Sequence, residues 1–252
     1  MIEVKHLYKS FEDKDVLIDI NAVFDTGKCN MIIGKSGSGK TVLLKNLIGL
    51  LSPDKGDIIY EGNSLINMSG KNKKLLHRNI GILFQGSALY DFTTVLGNVM
   101  FPLDFFSDLS YNEKLARVRF CLDRVNIKDS DNKYPSELSG GMQKRVGIAR
   151  AIALNPKFLF CDEPNSGLDP YTSILIDQLI EEITKEMNIT TVINTHDMNS
   201  MLEHGDNIYF VKGGTIAWHG DKHSILSSDN ADLKEFVCAN ALARNIIEGQ
   251  EK

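Results

Sequence analysis

At 252 residues, with 42% hydrophobic and 24% charged side chains, the chain can bury a core of its own without staples. A net charge of −5 argues against a protein that grips nucleic acid through a basic surface. Met1–His6 opens no signal-peptide apolar region and no run approaches the roughly 18 uncharged apolar residues of a membrane helix, while Cys29, Cys121, Cys161 and Cys238 lie far apart and read as reduced thiols of a cytoplasmic protein, three of them packed.

Ile2-Glu3-Val4-Lys5-His6-Leu7 alternates at period two and reads as a strand. A polar turn from Lys9 to Lys14 carries the aromatic Phe11, and Val16 to Phe24 reads as a second strand. Apolar Met31-Ile32-Ile33 then leads into Gly34-Lys35-Ser36-Gly37-Ser38-Gly39-Lys40-Thr41, and Val42–Ile48 follows as a helix ending near Gly49. Strand, glycine-rich turn and helix start are the setting of a phosphate-binding P-loop. Glycines let the backbone aim successive N–H groups at phosphate oxygens, and the helix N-terminus adds its dipole. Lys40 reaches the β- and γ-phosphates and the Thr41 hydroxyl suits Mg²⁺. These residues make the chain a nucleotide-binding protein in expectation.

Pro53-Asp54-Lys55-Gly56 signals a turn before a strand at Asp57–Tyr60, and the apolar run Ile80–Phe84 stops at Gln85-Gly86. From about Gly86 to Leu138 β-type runs give way to helical segments, read as an inserted helical subdomain. Within it Ser110-Tyr111-Asn112-Glu113 fits a capping box opening a helix to about Val125. Leu138-Ser139-Gly140-Gly141-Met142-Gln143 opens a helix through Arg150 to about Leu154, either as a plain Ser-capped start or as a second phosphate-gripping helix end.

Phe158-Leu159-Phe160-Cys161 reads as a buried strand ending in Asp162 and Glu163. Such a strand end presents hard oxygens: Asp162 suits Mg²⁺, through water, and Glu163 suits polarising an attacking water. Strands at Thr191–Ile193 and Ile208–Val211 alternate with helices near 171–187 and 197–204. Lys212-Gly213-Gly214-Thr215 is a hairpin turn into a last strand through Trp218. The alternation implies an α/β fold with a largely parallel sheet. His219-Gly220-Asp221-Lys222-His223 suits a solvated turn better than a metal site.

The P-loop, Gln85 after a strand, Leu138-Ser139-Gly140-Gly141, Asp162-Glu163, Ser166-Gly167-Leu168-Asp169 and His196 occur in the order of an ABC-transporter ATPase subunit, and residues 1–222 resemble that family. The resemblance implies the ABC ATPase form of the P-loop fold, a mostly parallel core with an antiparallel β subdomain and the helical subdomain inserted at about 86–138. By resemblance, Phe11 stacks on adenine with Val16 beside it, Gly34, Ser36, Gly37, Ser38, Gly39, Lys40 and Thr41 hold the phosphates, and Thr41, Gln85 and Asp162 serve Mg²⁺. Glu163, Gln85 and His196 are then the catalytic set, with His196 on the γ-phosphate. Ser139, Gly140, Gly141 and Asp169 face the nucleotide of a second copy in an ATP-sandwich homodimer. Met142 takes the signature's fifth position, Asn165 stands where threonine is frequent, and Phe11 replaces the usual tyrosine. None removes a group with a catalytic role, so an active ATPase is expected.

Phe84–Val95, Asn98-Val99 and Phe101-Pro102-Leu103, with Gly39–Leu44 and Leu138–Val146, resemble the Mla-type phospholipid-transport branch. That resemblance implies an integral-membrane permease, a lipid-binding MCE-type subunit, no nucleic acid, and a peripheral place on the cytoplasmic face of the inner membrane. An ABC importer or exporter with another cargo is the alternative. The tail, 223–252, reads as helical: Leu233, Phe236, Val237 and Ala241 share a face that docks on its own catalytic domain or on a neighbouring subunit.

Overall fold

The computed structural model describes residues 1–12 and 14–239. In chain order the elements are β1 (Ile2–Phe11), β2 (Lys14–Phe24), β3 (Cys29–Ile33), α1 (Lys40–Leu47), β4 (Lys55–Tyr60), β5 (Asn63–Ser64), α2 (Gly70–Arg78), β6 (Ile80–Leu83) and α3 (Val95–Phe106). They continue with α4 (Tyr111–Arg124), α5 (Gly140–Ile152), β7 (Phe158–Asp162), α6 (Pro170–Glu186), β8 (Thr190–Asn194), α7 (Met198–His204), β9 (Asn207–Lys212), β10 (Thr215–Gly220) and α8 (Ala231–Val237). Contacts divide them into two compact units, Met1–Ser69 with the chain from Thr190 onward, and Gly70–Ile189.

In the first unit β3 runs parallel to β8 and β9, and β10 pairs antiparallel with β9. Every residue of β3 and β8 is buried, polar Asn30, Thr190, Thr191 and Asn194 included, as befits strands covered on both faces. A separate antiparallel sheet has the order β2-β1-β4-β5. The polar turn expected from Lys9 to Lys14 is shorter than read: β1 continues to Phe11 and β2 begins at Lys14, with Phe11 opposite Lys14. Cross-strand pairing extends the hairpin although its outer residues are polar. β5 and α2 carry no apolar periodicity, and none of the residues of α2 is buried, so neither was anticipated.

The start of β3 is fixed by the fully buried Asn30. Its amide donates to the carbonyls of Asp25 (2.9 Å), Lys28 (3.0 Å) and Thr191 (2.9 Å), while its oxygen accepts from the Asp25 N–H at 2.9 Å and from Asn207 at 3.0 Å. One side chain thus satisfies the turn before the strand and ties it to β8 and β9.

In the second unit β6 and β7 pair in parallel, Leu83 opposite Cys161. Between Gly86 and Leu138 the chain forms α3, α4 and a short 3-10 turn, joined by loops. Ser110 and Glu113 form the expected capping box: the Ser110 N–H donates to the Glu113 carboxylate at 2.8 Å and the Ser110 hydroxyl accepts from the Glu113 N–H. Cys29, Cys121 and Cys161 are buried and Cys238 is half-buried, as read. No helix among the described residues is long and apolar enough to cross a membrane.

Replacing Asn30 by Leu keeps the volume and leaves buried carbonyls without donors. Each orphaned group should cost about 1–3 kcal/mol. A urea titration should show the midpoint falling well below that of the unmodified chain.

Candidate nucleotide site

The P-loop joins β3 to α1 inside the first unit. Gly34 has φ 148° and an added Cβ would lie 2.3 Å from the Val211 carbonyl oxygen on β9, so only glycine fits there. Gly39, at φ 109°, is the N-cap of α1, and its missing side chain leaves room for the Val16 carbonyl oxygen of β2, which a Cβ would approach to 2.9 Å. The structure thus sets the Val16 backbone against the P-loop at Gly39. The Ser38 N–H turns back to the Lys35 carbonyl at 3.2 Å. Lys40 is 8% exposed, and its ammonium donates to the carbonyls of Gly34 (2.8 Å) and Lys35 (3.3 Å).

Two observations show that this loop fits a phosphate. No side chain caps α1, so its first N–H groups remain for a ligand. The Ser38 hydroxyl oxygen is buried without a hydrogen-bond partner. An anion carrying Mg²⁺ at Thr41 would complete both, and Lys40 would exchange loop carbonyls for phosphate oxygens.

His196 lies two residues beyond β8, the parallel neighbour of β3. Its position is held on both sides, by the Thr195 N–H on the Ile32 carbonyl (3.2 Å) and by Asp197, which caps α7 through the Asn199 N–H at 2.8 Å. The imidazole is exposed. Phe11, 43% exposed at the end of β1, has the Lys9 ammonium 5.4 Å from its ring centre.

The second unit carries the remaining candidates. Gln85 follows β6, and Asp162 ends β7, so the neighbouring parallel strands release both from their carboxyl ends. The Gln85 amide donates to the Ser166 hydroxyl at 3.1 Å. Glu163 has φ 49°, a left-handed conformation that costs a non-glycine residue roughly 1–3 kcal/mol and clusters at functional positions. Ser139 caps α5, accepting from the Met142 N–H at 3.3 Å, and Gly140 and Gly141 form the first turn of that helix. Asp169 caps α6, accepting from the Thr172 N–H (3.0 Å) and hydroxyl (2.5 Å), contacts that hold its carboxyl below the usual range.

Two cations of α5, Lys144 buried and Arg150 half-buried, were not singled out from the sequence. Lys144, 4% exposed, donates to the Gln85 carbonyl and to the Glu163 carbonyl at 3.4 Å. Burial holds its ammonium below the ordinary lysine range. Arg150 donates to the carbonyls of Ser87 (2.6 Å) and Ala88 (2.7 Å), two consecutive left-handed residues, and stands 5.6 Å from the Tyr90 ring centre. The available signal was positional: Lys144, Ile148 and Ala151 share one helical face, and two of the three are apolar.

Residues 17–166 match the ABC transporter family. The chain belongs to that family. It is 36% identical over 236 residues to the probable ribonucleotide transport ATP-binding protein Mkl of Mycobacterium leprae, covering 94% of this chain and 68% of the relative. It is 39% identical over 241 residues to the methionine import ATP-binding protein MetN of Carboxydothermus hydrogenoformans, covering 94% and 71%. The chain thus spans about two thirds of the length of these relatives. A solved ATP-binding cassette, dimeric and bound to ADP and phosphate after hydrolysis, superposes with a TM-score of 0.80 at 30% identity, covering 88% of this chain and 99% of the other. The fold is that of an ABC ATPase, α/β with both parallel and antiparallel pairing. ATPases of this family bind ATP with Mg²⁺ and hydrolyse it, and the P-loop here is formed for that ligand.

Lys144→Met removes the ammonium from between two backbone carbonyls while keeping much of the side-chain volume. It should lower stability by about 1–3 kcal/mol and reduce ATP turnover, because Gln85 and Glu163 lose a shared anchor. Equal turnover and an equal urea midpoint would dismiss that role.

Proposed function

We propose that the protein is the ATP-hydrolysing subunit that energises an ABC permease, working as a homodimer in which each P-loop closes on Ser139, Gly140 and Gly141 of the second copy. The P-loop cradle, with its uncapped helix and unpartnered Ser38 hydroxyl, is the observation that carries this reading. Phe11 and Val16 receive the base, Lys40 and the loop amides the phosphates, and Thr41, Asp162 and Gln85 the Mg²⁺. Glu163 polarises the attacking water, His196 contacts the γ-phosphate, and Asp169 lies at the dimer contact. The catalytic effect is positioning and electrostatics, assembled when ATP closes the pair.

The permease seat is assigned to a groove of about 350 Å³ in the second unit, lined by Ile82, Phe84, Tyr90, Phe101, Pro102 and Arg150 among others. Tyr90, Phe101 and Phe105 stand ring to ring with 4.6 Å between neighbouring centres, and Phe105 is 67% exposed. Asn98, fully buried, pins the loop that carries Tyr90 by accepting from the Tyr90 N–H (2.8 Å) and donating to the Tyr90 carbonyl (3.1 Å). An amphipathic helix of a membrane partner suits an apolar, aromatic groove of this kind. Attached this way, the subunit sits peripherally on the cytoplasmic face of the inner membrane.

For cargo, the residues from Phe84 to Leu103 favour phospholipid transport of the Mla type, with an MCE-type lipid-binding subunit in the assembly. A second reading, import of a small solute, is favoured by the names of the relatives, ribonucleotide transport and methionine import. Native complex purified from membranes separates them: co-purifying phospholipid that raises ATPase activity supports the first, and stimulation by methionine or ribonucleotides supports the second.

Glu163→Gln should retain ATP binding while losing roughly 10²- to 10⁴-fold in turnover. With ATP and Mg²⁺ the same variant, held at the closed stage, should run as a dimer in size exclusion. Near-normal hydrolysis would remove Glu163 from its assigned role.

A further inference from the structure

The C-terminal helix α8 is anchored on the first unit from several sides. Leu233 and Val237 are fully buried, and the Phe236 ring lies 5.3 Å from that of Phe210 on β9. Asn230 caps the helix by accepting from the Leu233 N–H at 2.9 Å, and its amide donates to the Ala217 carbonyl on β10 at 2.8 Å. Asp232 pairs with Lys212 at the end of β9. Held in this way, α8 presents Glu235, whose carboxylate accepts from the Lys35 ammonium of the P-loop at 2.7 Å.

Lys35 occupies a structural position in the loop. Its carbonyl accepts both the Ser38 N–H and the Lys40 ammonium, so its peptide sets the turn and the resting place of the phosphate-binding lysine. β9, against which α8 packs through Phe236, is in contact with the loop as well. Phe210 is in register with Ile33, and the Val211 carbonyl lies against Gly34. Lys35–Ser38, Phe210–Gly213, Asp232 and Glu235 together wall a pocket of about 230 Å³.

We propose that Glu235 is a positioning residue for ATP binding: α8 braces the P-loop through the Lys35–Glu235 pair and holds the Lys35 peptide in its phosphate-receiving geometry. The inference rests on ATP occupying the P-loop and goes beyond the transport reading. Both members of the pair are 67% exposed, so its strength is modest and salt-dependent. The lysine beside it holds the Glu235 carboxyl below the usual range. Buried Leu233 and Val237 turn this weak contact into a brace, because they fix where the carboxylate stands.

The test is binding of a fluorescent ATP analogue with Mg²⁺ to the full chain, with thermal melting run in parallel. Glu235→Gln should weaken affinity about two- to fivefold at low salt, Glu235→Lys should weaken it further, and 0.5 M NaCl, on the order of a 3–5 Å screening length, should erase most of the difference. Glu235→Asp should fall between Gln and the native residue. Melting temperatures should stay level across the series. Unchanged affinity in Glu235→Lys would overturn the proposal. So would an affinity loss that tracks the melting temperature, or an equal loss in Asp229→Asn, which removes the surface pair with Lys234 and lies outside the pocket beside the loop. If the unmodified chain binds no nucleotide at all, the P-loop assignment fails with it, an outcome distinct from native-like binding by Glu235→Lys.

Discussion

An α-helix leaves its first N–H groups without internal partners, and something outside the helix must satisfy them. In this protein each helix from α3 to α8 solves that locally, with Thr94, Ser110, Ser139, Asp169, Asp197 and Asn230 as side-chain caps. α1 does not. Its N-cap is a left-handed glycine, and the hydroxyl of the preceding Ser38 is itself buried without a partner. The surroundings keep that end available. Carbonyls of Val211 and Val16 press on Gly34 and Gly39, where no side chain fits, and Asn30 stiffens the strand behind them. Much of the first unit serves to hold a helix end in a form only an anion completes.

The second unit organises a different requirement. Gln85 and Asp162 leave neighbouring parallel strands, and the chain turns sharply after each: Ser87 and Ala88 adopt left-handed backbone beyond one, Glu163 beyond the other. Such conformations persist only where the environment overdetermines them. Buried Lys144 and half-buried Arg150 supply that environment by hydrogen-bonding to carbonyls on these turns. Burying a charge is tolerable when it is well hydrogen-bonded, and here the return is a fixed backbone beside Gln85 and Glu163, the groups proposed to carry the chemistry.

The parts legible in sequence were those whose cause is local. The P-loop announces itself because positive φ and close backbone approach demand glycine. β3, β7, β8 and β9 show as apolar runs because both their faces are covered. The capping box at Ser110 shows because its partner is three residues away. What stayed hidden depends on distant chain. Phe11 looked like part of a turn because hairpin pairing, not side-chain pattern, extends β1. Lys144 and Arg150 were not singled out, since only the fold supplies their carbonyl partners. Asp169 was read as an interface residue, and its place before Pro170 was also the local signature of an N-cap, which is the contact it makes. The Lys35–Glu235 pair joins residues 200 positions apart, a separation for which no sequence window carries a signal.

The anchoring of one helix to both turns bears on how such cassettes can be recombined. α5, capped by Ser139, grips the segment from Gln85 to Ala88 through two cations and carries Arg150 to the wall of the aromatic groove. Segment 84–103 and helix α5 therefore form one inheritable block. Grafting the segment alone from another cassette keeps backbone carbonyls but risks losing the left-handed turn at Ser87 and Ala88 that aims them at the resident arginine. Exchange of the two together keeps both cations with their own acceptors, so natural variation in this face is expected to move as linked substitutions across some sixty residues rather than as independent drift.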